Sequence, residues 1–268
     1  MIVALLLGLM LCLGCELPAR AAVVAAEPVD VELVLAVDIS RSMDAEEFAL
    51  QRAGYVAALR HPDFAKAVRA GRHGRIALAY FEWAGTVREE TQVPWQVVDS
   101  AETAEAFAAE LESRPVRSFR GTSISSALVF GADLFDGNAF DGYRKVIDVS
   151  GDGPNNVGLP VAAARDAAVM NGITVNGLPI LIRPSFSVRE LDRYYTECVT
   201  GGPGSFVLPI KNASEFATAI RRKLILEVSG APIAERIIPV QATEPMDCER
   251  GERDRQLLSD PYYPQLDK

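Results

Sequence analysis

Three solid apolar runs, separated by helical patterns, constrain this chain more than any other feature. They are "VELVLAV" (Val31–Val37), "RIALAYFEWAG" (Arg75–Gly85) and "KVIDVSGDG" (Lys145–Gly153). A strand with one wet face alternates apolar and polar residues. A strand covered on both faces reads as a near-continuous apolar run. Between and after these runs lie amphipathic stretches. Phe48, Tyr55, Val56 and Leu59 share one helical face, as do Leu128, Ala132 and Phe135, and Phe216, Ile220, Leu224 and Val228 recur every four residues. Further helices are expected over "HPDFAKAVRAG", Ala101–Glu112, "VAAARDAAVMNG" and "VRELDRYYTECV", and further strands at "ITVNGLPI" and "GSFVLPI". "TVREETQVPWQVV" is more polar and carries Pro94, which suits an edge strand or hairpin. Strand and helix thus alternate from Val31 to Val228. The expected fold class is α/β: a Rossmann-like, doubly wound, mostly parallel sheet with helices on both faces.

The ends of the chain read differently. Met1–Cys15, "MIVALLLGLMLCLGC", is too short for a spanning helix and matches the apolar region of a secretory signal. Small residues at Ala19-Arg20-Ala21 and Val24-Ala25-Ala26 offer cleavage after residue 21 or 26. No Lys or Arg precedes the apolar run. Lipid attachment at Cys15 is the alternative, but Cys12 stands where such signals carry Leu. Residues 27–230 then form the domain. Residues 231–268, rich in Pro and charge and without a period, are expected to be an extended tail that partly wraps it. An exported protein, periplasmic or secreted, has no membrane span once the signal is removed. Cys198 and Cys248 are the cysteines left in the mature chain, either bridged or unrelated.

Net charge is -9 and the pI about 4.9. This argues against nucleic acid, and an acidic surface is repelled by anionic lipid. There is no G-x-S-x-G and no phosphate-binding G-x-x-x-x-G-K-[ST], and the histidines are His61 and His73. A strand-end Asp also opens the phosphatase motif D-x-D-x-T, but Ser40 occupies the place of its second acid. Enzymatic activity is not expected.

Three polar turns sit at strand ends or before helices: Asp38-Ile39-Ser40-Arg41-Ser42, Gly121-Thr122-Ser123 and Ser150-Gly151-Asp152-Gly153. In doubly wound sheets ligands bind beyond the carboxyl ends of the strands. Asp38, Ser40, Ser42, Thr122 and Asp152 supply two carboxylates and three hydroxyls, a hard-oxygen set. It suits Mg²⁺, Mn²⁺ or Ca²⁺ rather than zinc. Each piece alone is an ordinary turn or cap. Asp44, with Glu47 three residues on, reads as the cap of the helix that follows.

In this order, D-x-S-x-S at Asp38, Ser40 and Ser42, then Thr122 in "GTSISSAL", then Asp152 in "KVIDVSGDG", the chain resembles a von Willebrand factor type A domain with its metal-ion-dependent adhesion site. The resemblance covers about Val31 to Ser229 and is nearest to an exported bacterial branch marked by "DVSGDGPNN" and "GGPG". It implies one antiparallel edge strand. It also implies a cation held by the serines and threonine, with the aspartates often acting through water, and a protein partner offering an Asp or Glu to that cation. Net charge would not steer such a partner, so recognition would rest on the cation itself. A structural or scaffolding protein with a stabilising metal is the alternative; a metal-dependent hydrolase is a weaker one. Two residues depart from the family. Asp148, inside a central strand, is expected to pair with an Arg or a backbone amide, or else to support the site. Trp83 is expected in the core, or else on a ligand rim.

Overall fold

The computed structural model describes residues 25–43, 45–115, 117–183, 188–230 and 244–259. The leader up to residue 24, the cap Asp44, and tail residues 231–243 and 260–268 lie outside them.

The chain runs β1 (Glu27–Val29), β2 (Glu32–Asp38), α1 (Ala45–Arg60), α2 (Pro62–Arg69), β3 (Ile76–Trp83), β4 (Val87–Val98), α3 (Ala101–Ser113), α4 (Ile124–Asp133), β5 (Phe140–Gly142) and β6 (Lys145–Gly151). It continues through α5 (Val161–Met170), β7 (Ile173–Pro179), α6 (Leu191–Tyr194), a π-helical turn (Tyr195–Val199), α7 (Phe216–Ser229) and α8 (Arg250–Ser259). The main sheet has the order β4-β3-β2-β6-β7. Every pairing is parallel except β3 with β4, the antiparallel edge. β1 and β5 form a small parallel pair.

β2 is buried along its whole length, and its residues alternate between two cores. Leu33, Leu35 and Val37 join a core with α1, α2, α3 and α7; Val34 and Ala36 join one with α4, α5 and α6. This is why the run has no polar period: both of its faces are covered. The helical faces expected of α1 and α7 lie in the first core. Trp83 is fully buried in the second, so it is a core aromatic and not a rim contact.

Two expectations are corrected. "GSFVLPI" forms no ladder of its own; Val207 and Ile210 make single parallel bridges to Gly177 and Ile180 of the β7 edge. Within the expected extended tail, Arg250–Ser259 is helical. Cys248 closes a disulfide with Cys198, Cα atoms 5.5 Å apart, and so ties this segment to the π-helical turn.

Asp148 faces α7. Its partner is a lysine, not the expected arginine or amide: Lys223 Nζ lies 2.7 Å from Asp148 Oδ1 and 2.6 Å from Glu227 Oε1. Asn176 Nδ2 donates to the other Glu227 oxygen at 2.7 Å. All three charges are buried. Burial pushes Asp148 up to about 7, against the pull of Lys223. Burial also disfavours the Lys223 cation, but the two carboxylates outweigh it and hold its pKa above the ordinary lysine value. Removing one member of a buried ion cluster strands the others. Lys223→Met should therefore cost about 3–5 kcal/mol in a urea titration. A loss under about 1 kcal/mol would show that the cluster tolerates an uncompensated carboxylate pair.

Candidate metal centre

Because β2, β3, β6 and β7 are parallel, the segments after β2, β3 and β6 emerge at one edge of the sheet. The turn before α4 reaches the same edge. Phe119 N donates to Ile39 O at 3.0 Å, Arg41 N to Phe119 O at 2.8 Å, and Ser123 N to Ala84 O at 2.7 Å. All three polar turns singled out in the sequence thus meet.

Asp38 is the last residue of β2 and is fully buried. Its Oδ1 accepts from Ser40 N at 2.7 Å. Ser40 Oγ lies 2.8 Å from Ser42 Oγ, and Ser42 Oγ donates to Asp152 Oδ1 at 2.6 Å. Four of the five predicted residues therefore form one hydrogen-bonded chain. Thr122 stands on the adjoining turn, joined to the Asp152 loop through Asn156. Asn156 Oδ1 accepts from Thr122 N at 3.0 Å, and Asn156 N donates to Thr122 O at 2.8 Å. Asp38, Ser40, Thr122 and Asp152 are buried, whereas Ser42 is exposed.

The two carboxylates are poorly compensated. Asp38 Oδ2 is buried with no hydrogen-bond partner among the described residues. Burial first, and the Asp152 charge second, push the Asp38 pKa well above the usual carboxylate value. Burial likewise pushes Asp152 to about 6, with Glu47 adding to the rise and the Ser42 hydrogen bond opposing it. Arg183 also opposes it, although this guanidinium is shared with Glu47, 3.6 Å away. Among the described residues no three His, Cys, Asp or Glu side chains gather as a metal site. An ion at this edge would rest on two carboxylates and hydroxyl oxygens. The donor set fits a hard cation: an orphaned carboxylate oxygen and two buried acids of like charge are what such an ion would satisfy.

Several organising residues carried no sequence signal of their own. Gln51 Nε2 of α1 donates to Asp38 O at 2.9 Å. The Tyr195 hydroxyl is buried without a partner among the described residues. Gly151 lies between it and Asp38: a Cβ there would come within 2.8 Å of both Asp38 Oδ2 and the Tyr195 hydroxyl. In "DGPNN", Asn155 is fully buried. Its Oδ1 accepts from Ser125 N at 3.0 Å, and its Nδ2 donates to Leu159 O at 3.0 Å and to Glu252 Oε1 of α8 at 2.7 Å. The histidines stay outside: His61 caps α2, and His73 N donates to Asp30, which precedes β2 at the opposite edge.

Comparison with solved structures places this architecture. Proximal thread matrix protein 1 from the mussel byssus matches with a TM-score of 0.56 at 17% identity, over 76% of this chain and 50% of that one. Another structure of that protein, described as having a zinc-occupied MIDAS motif, matches with a TM-score of 0.56 at 19% identity, over 76% and 49%. The pilus adhesin SpaC of Lactobacillus rhamnosus GG, in an open conformation, matches with a TM-score of 0.54 at 14% identity, over 76% of this chain and 30% of the adhesin. A von Willebrand factor type A protein from Catenulispora acidiphila gives 0.50 at 16% identity, over 76% and 43%. The chain thus spans half or less of each of these proteins. No curated protein matches it. The fold is that of a von Willebrand factor type A domain. More particularly, residues 28–232 match the profile described as "Protein of unknown function (DUF1194)", and the chain belongs to that family. No helix among the described residues is long and apolar enough to cross a membrane.

Without a cation, folding leaves Asp38 and Asp152 holding protons to a higher pH than in the unfolded chain. The Asp152 contribution to stability is full below about pH 4 and is lost as pH rises through about 6. In chelator, the melting temperature of the wild type should therefore fall relative to Asp152→Asn between about pH 5 and pH 7. Parallel pH profiles for the two proteins would mean that Asp152 ionises in the fold at no cost.

Proposed function

We propose that this domain binds a divalent cation at Asp38, Ser40, Ser42, Thr122 and Asp152 and, through it, a carboxylate of a protein partner. The observation that carries the reading is the continuous Asp38–Ser40–Ser42–Asp152 chain, with one carboxylate oxygen left unpartnered inside it. When bound, the cation supplies a Lewis-acidic point of attachment for an anionic oxygen. The protein's part is to hold the donors. The Ser40 amide orients Asp38, the serine hydroxyls contribute no charge, and Thr122 is fixed by Asn156. Neutral hydroxyl donors leave the ion short of negative charge, which favours an added carboxylate from outside. Mg²⁺ is the ion best suited to few direct protein ligands; Mn²⁺ and Ca²⁺ share its oxygen chemistry.

An exported location accords with this. The apolar Met1–Cys15 segment has the composition of a secretory signal. The Cys198–Cys248 disulfide belongs to an oxidising compartment such as the periplasm or the exterior. The SpaC neighbour is a pilus adhesin, and metal-dependent adhesion is the corresponding reading here. The second reading, a cation that only staples the fold, rests on the burial of four of the five donors.

Calorimetry and thermal shift with Mg²⁺, Mn²⁺, Ca²⁺ and Zn²⁺ test the cation. At about 100 times its dissociation constant, an ion should raise stability by about 2.7 kcal/mol. Asp38→Ala and Asp152→Asn should abolish the rise while the proteins remain folded by circular dichroism. A folded wild type that responds to none of the four ions refutes the site. Pull-down from envelope extract, with and without chelator, separates the two roles. Capture that survives both chelator and Asp38→Ala refutes the metal bridge.

A further inference from the structure

Arginines flank the candidate site, by sequence at Arg41 and Arg120 and by contact at Arg255, in a chain whose net charge is -9. Arg41 lies between Ser40 and Ser42, and Arg120 lies two residues before Thr122. Both are exposed, and neither makes an ion pair among the described residues. Arg41 is anchored through its backbone amide to Phe119, and Arg120 O accepts from Gly85 N at 3.2 Å. Both side chains therefore start from rigid points. Arg88 stacks its guanidinium on the Phe119 ring, 3.6 Å from the centroid. The segment Arg114–Arg120 carries three arginines and no acid.

The last arginine comes from beyond the family-matched region. Arg255 of α8 donates from Nη1 to Asn156 Oδ1 at 3.0 Å, the same oxygen that accepts from Thr122 N. Its Nη1 would also lie 3.2 Å from a Cβ placed on Gly121. Gly121, with φ of +85°, holds a conformation that disfavours a side chain and leaves that space to Arg255. The helix is held there by the Cys198–Cys248 disulfide, by Met246 N donating to Glu197 Oε2 at 2.7 Å, and by Glu252 on Asn155.

Two of the acids beside this rim have partners within the chain. Glu47 pairs with Arg183, and Glu252 accepts from Asn155; Glu46 is exposed at the start of α1.

We infer that the partner of this site is an acidic protein segment: one carboxylate for the cation and neighbouring carboxylates for Arg41, Arg120 and Arg255. The inference rests on the cation-dependent reading and sharpens it, since the overall negative charge would otherwise repel such a segment. Arginine suits this task because its planar fork accepts a carboxylate in two parallel hydrogen bonds. A clustered rim also raises the local concentration of acidic ligands and their association rate.

Fluorescence anisotropy with two labelled peptides of equal length tests it, in saturating Mg²⁺. One carries a single aspartate in a neutral sequence, and the other carries the same aspartate flanked by glutamates. The flanked peptide should bind about fivefold more tightly, the effect of a few exposed charge pairs. That advantage should vanish in about 0.5 M NaCl. It should also vanish in the Arg41→Gln/Arg120→Gln variant, which leaves the Arg255–Asn156 contact in place. The single-aspartate peptide should be indifferent to both changes. Equal binding of the two peptides, or a variant that weakens both alike, overturns the arginine rim. Binding of neither peptide, or binding that ignores chelator, instead removes the cation-dependent reading on which the rim rests. Preferential binding to phosphatidylglycerol vesicles over the flanked peptide overturns the choice of a protein segment as partner.

Discussion

Two carboxylates of like charge, buried at the ends of adjacent parallel strands, set the terms for this edge of the molecule. Asp38 closes β2 and Asp152 follows β6. Such groups are costly unless they are protonated, hydrogen-bonded or matched by a cation. The surrounding structure supplies part of the compensation and stops short of the rest. Ser40 and Ser42 occupy the space between the acids, the Ser40 amide takes one Asp38 oxygen, and the second Asp38 oxygen is left alone. Gly151 lacks the side chain that would collide there, and Tyr195 brings a hydroxyl to the same place. A site evolved only for stability would fill this gap with an apolar group or a fixed basic one, as Lys223 fills the corresponding gap beside Asp148.

That contrast orders the two buried acid clusters. The cluster at Asp148 carries its own cation on α7, and Lys223 closes the charge between Asp148 and Glu227. Between Asp38 and Asp152 no basic side chain stands among the described residues; Arg183, which acts on Asp152, is shared with Glu47. One carboxylate pair therefore has a lysine of the chain set between its members, whereas the other has no such fixed cation between them among the described residues.

Much of this was legible in the sequence because it depends on patterns of short range. β2, β3 and β6 declared themselves as near-continuous apolar runs, each broken by a charged residue, since both of their faces are covered. D-x-S-x-S was legible because three donors two residues apart must share a turn. What escaped depends on contacts between distant segments. Lys223 lies 75 residues from Asp148, and nothing local marks it as the partner. "GSFVLPI" has the composition of a strand but runs along the β7 edge with only single bridges. The helix at Arg250–Ser259 has a highly polar sequence with little apolar face. It is held by a disulfide and by hydrogen bonds to Asn155 and Asn156, not by an apolar stripe. Hydrophobic periodicity, the main guide to helices in a sequence, has little to register there.

The distribution of exposure within the site bears on the choice between staple and binder. Asp38 and Ser40 are almost wholly enclosed, and Thr122 and Asp152 are nearly so. Ser42 is the exception, and it lies beside exposed Arg41. A cation held only to stabilise the fold gains from complete enclosure, because water competing at an open face weakens the contribution of each donor. A cation that must meet a partner needs one open side, with its remaining donors rigid so that little order is lost on binding. The buried floor at Asp38 and Ser40, the braces from Gln51, Asn155 and Asn156, and the single opening at Ser42 match the second requirement. Arg41 lies beside that same opening and Arg255 reaches Asn156 behind it, so the exposed flank carries basic side chains in an acidic chain. Recognition at such a place would be read from the pattern of acids around one bound carboxylate, not from the net charge of either molecule.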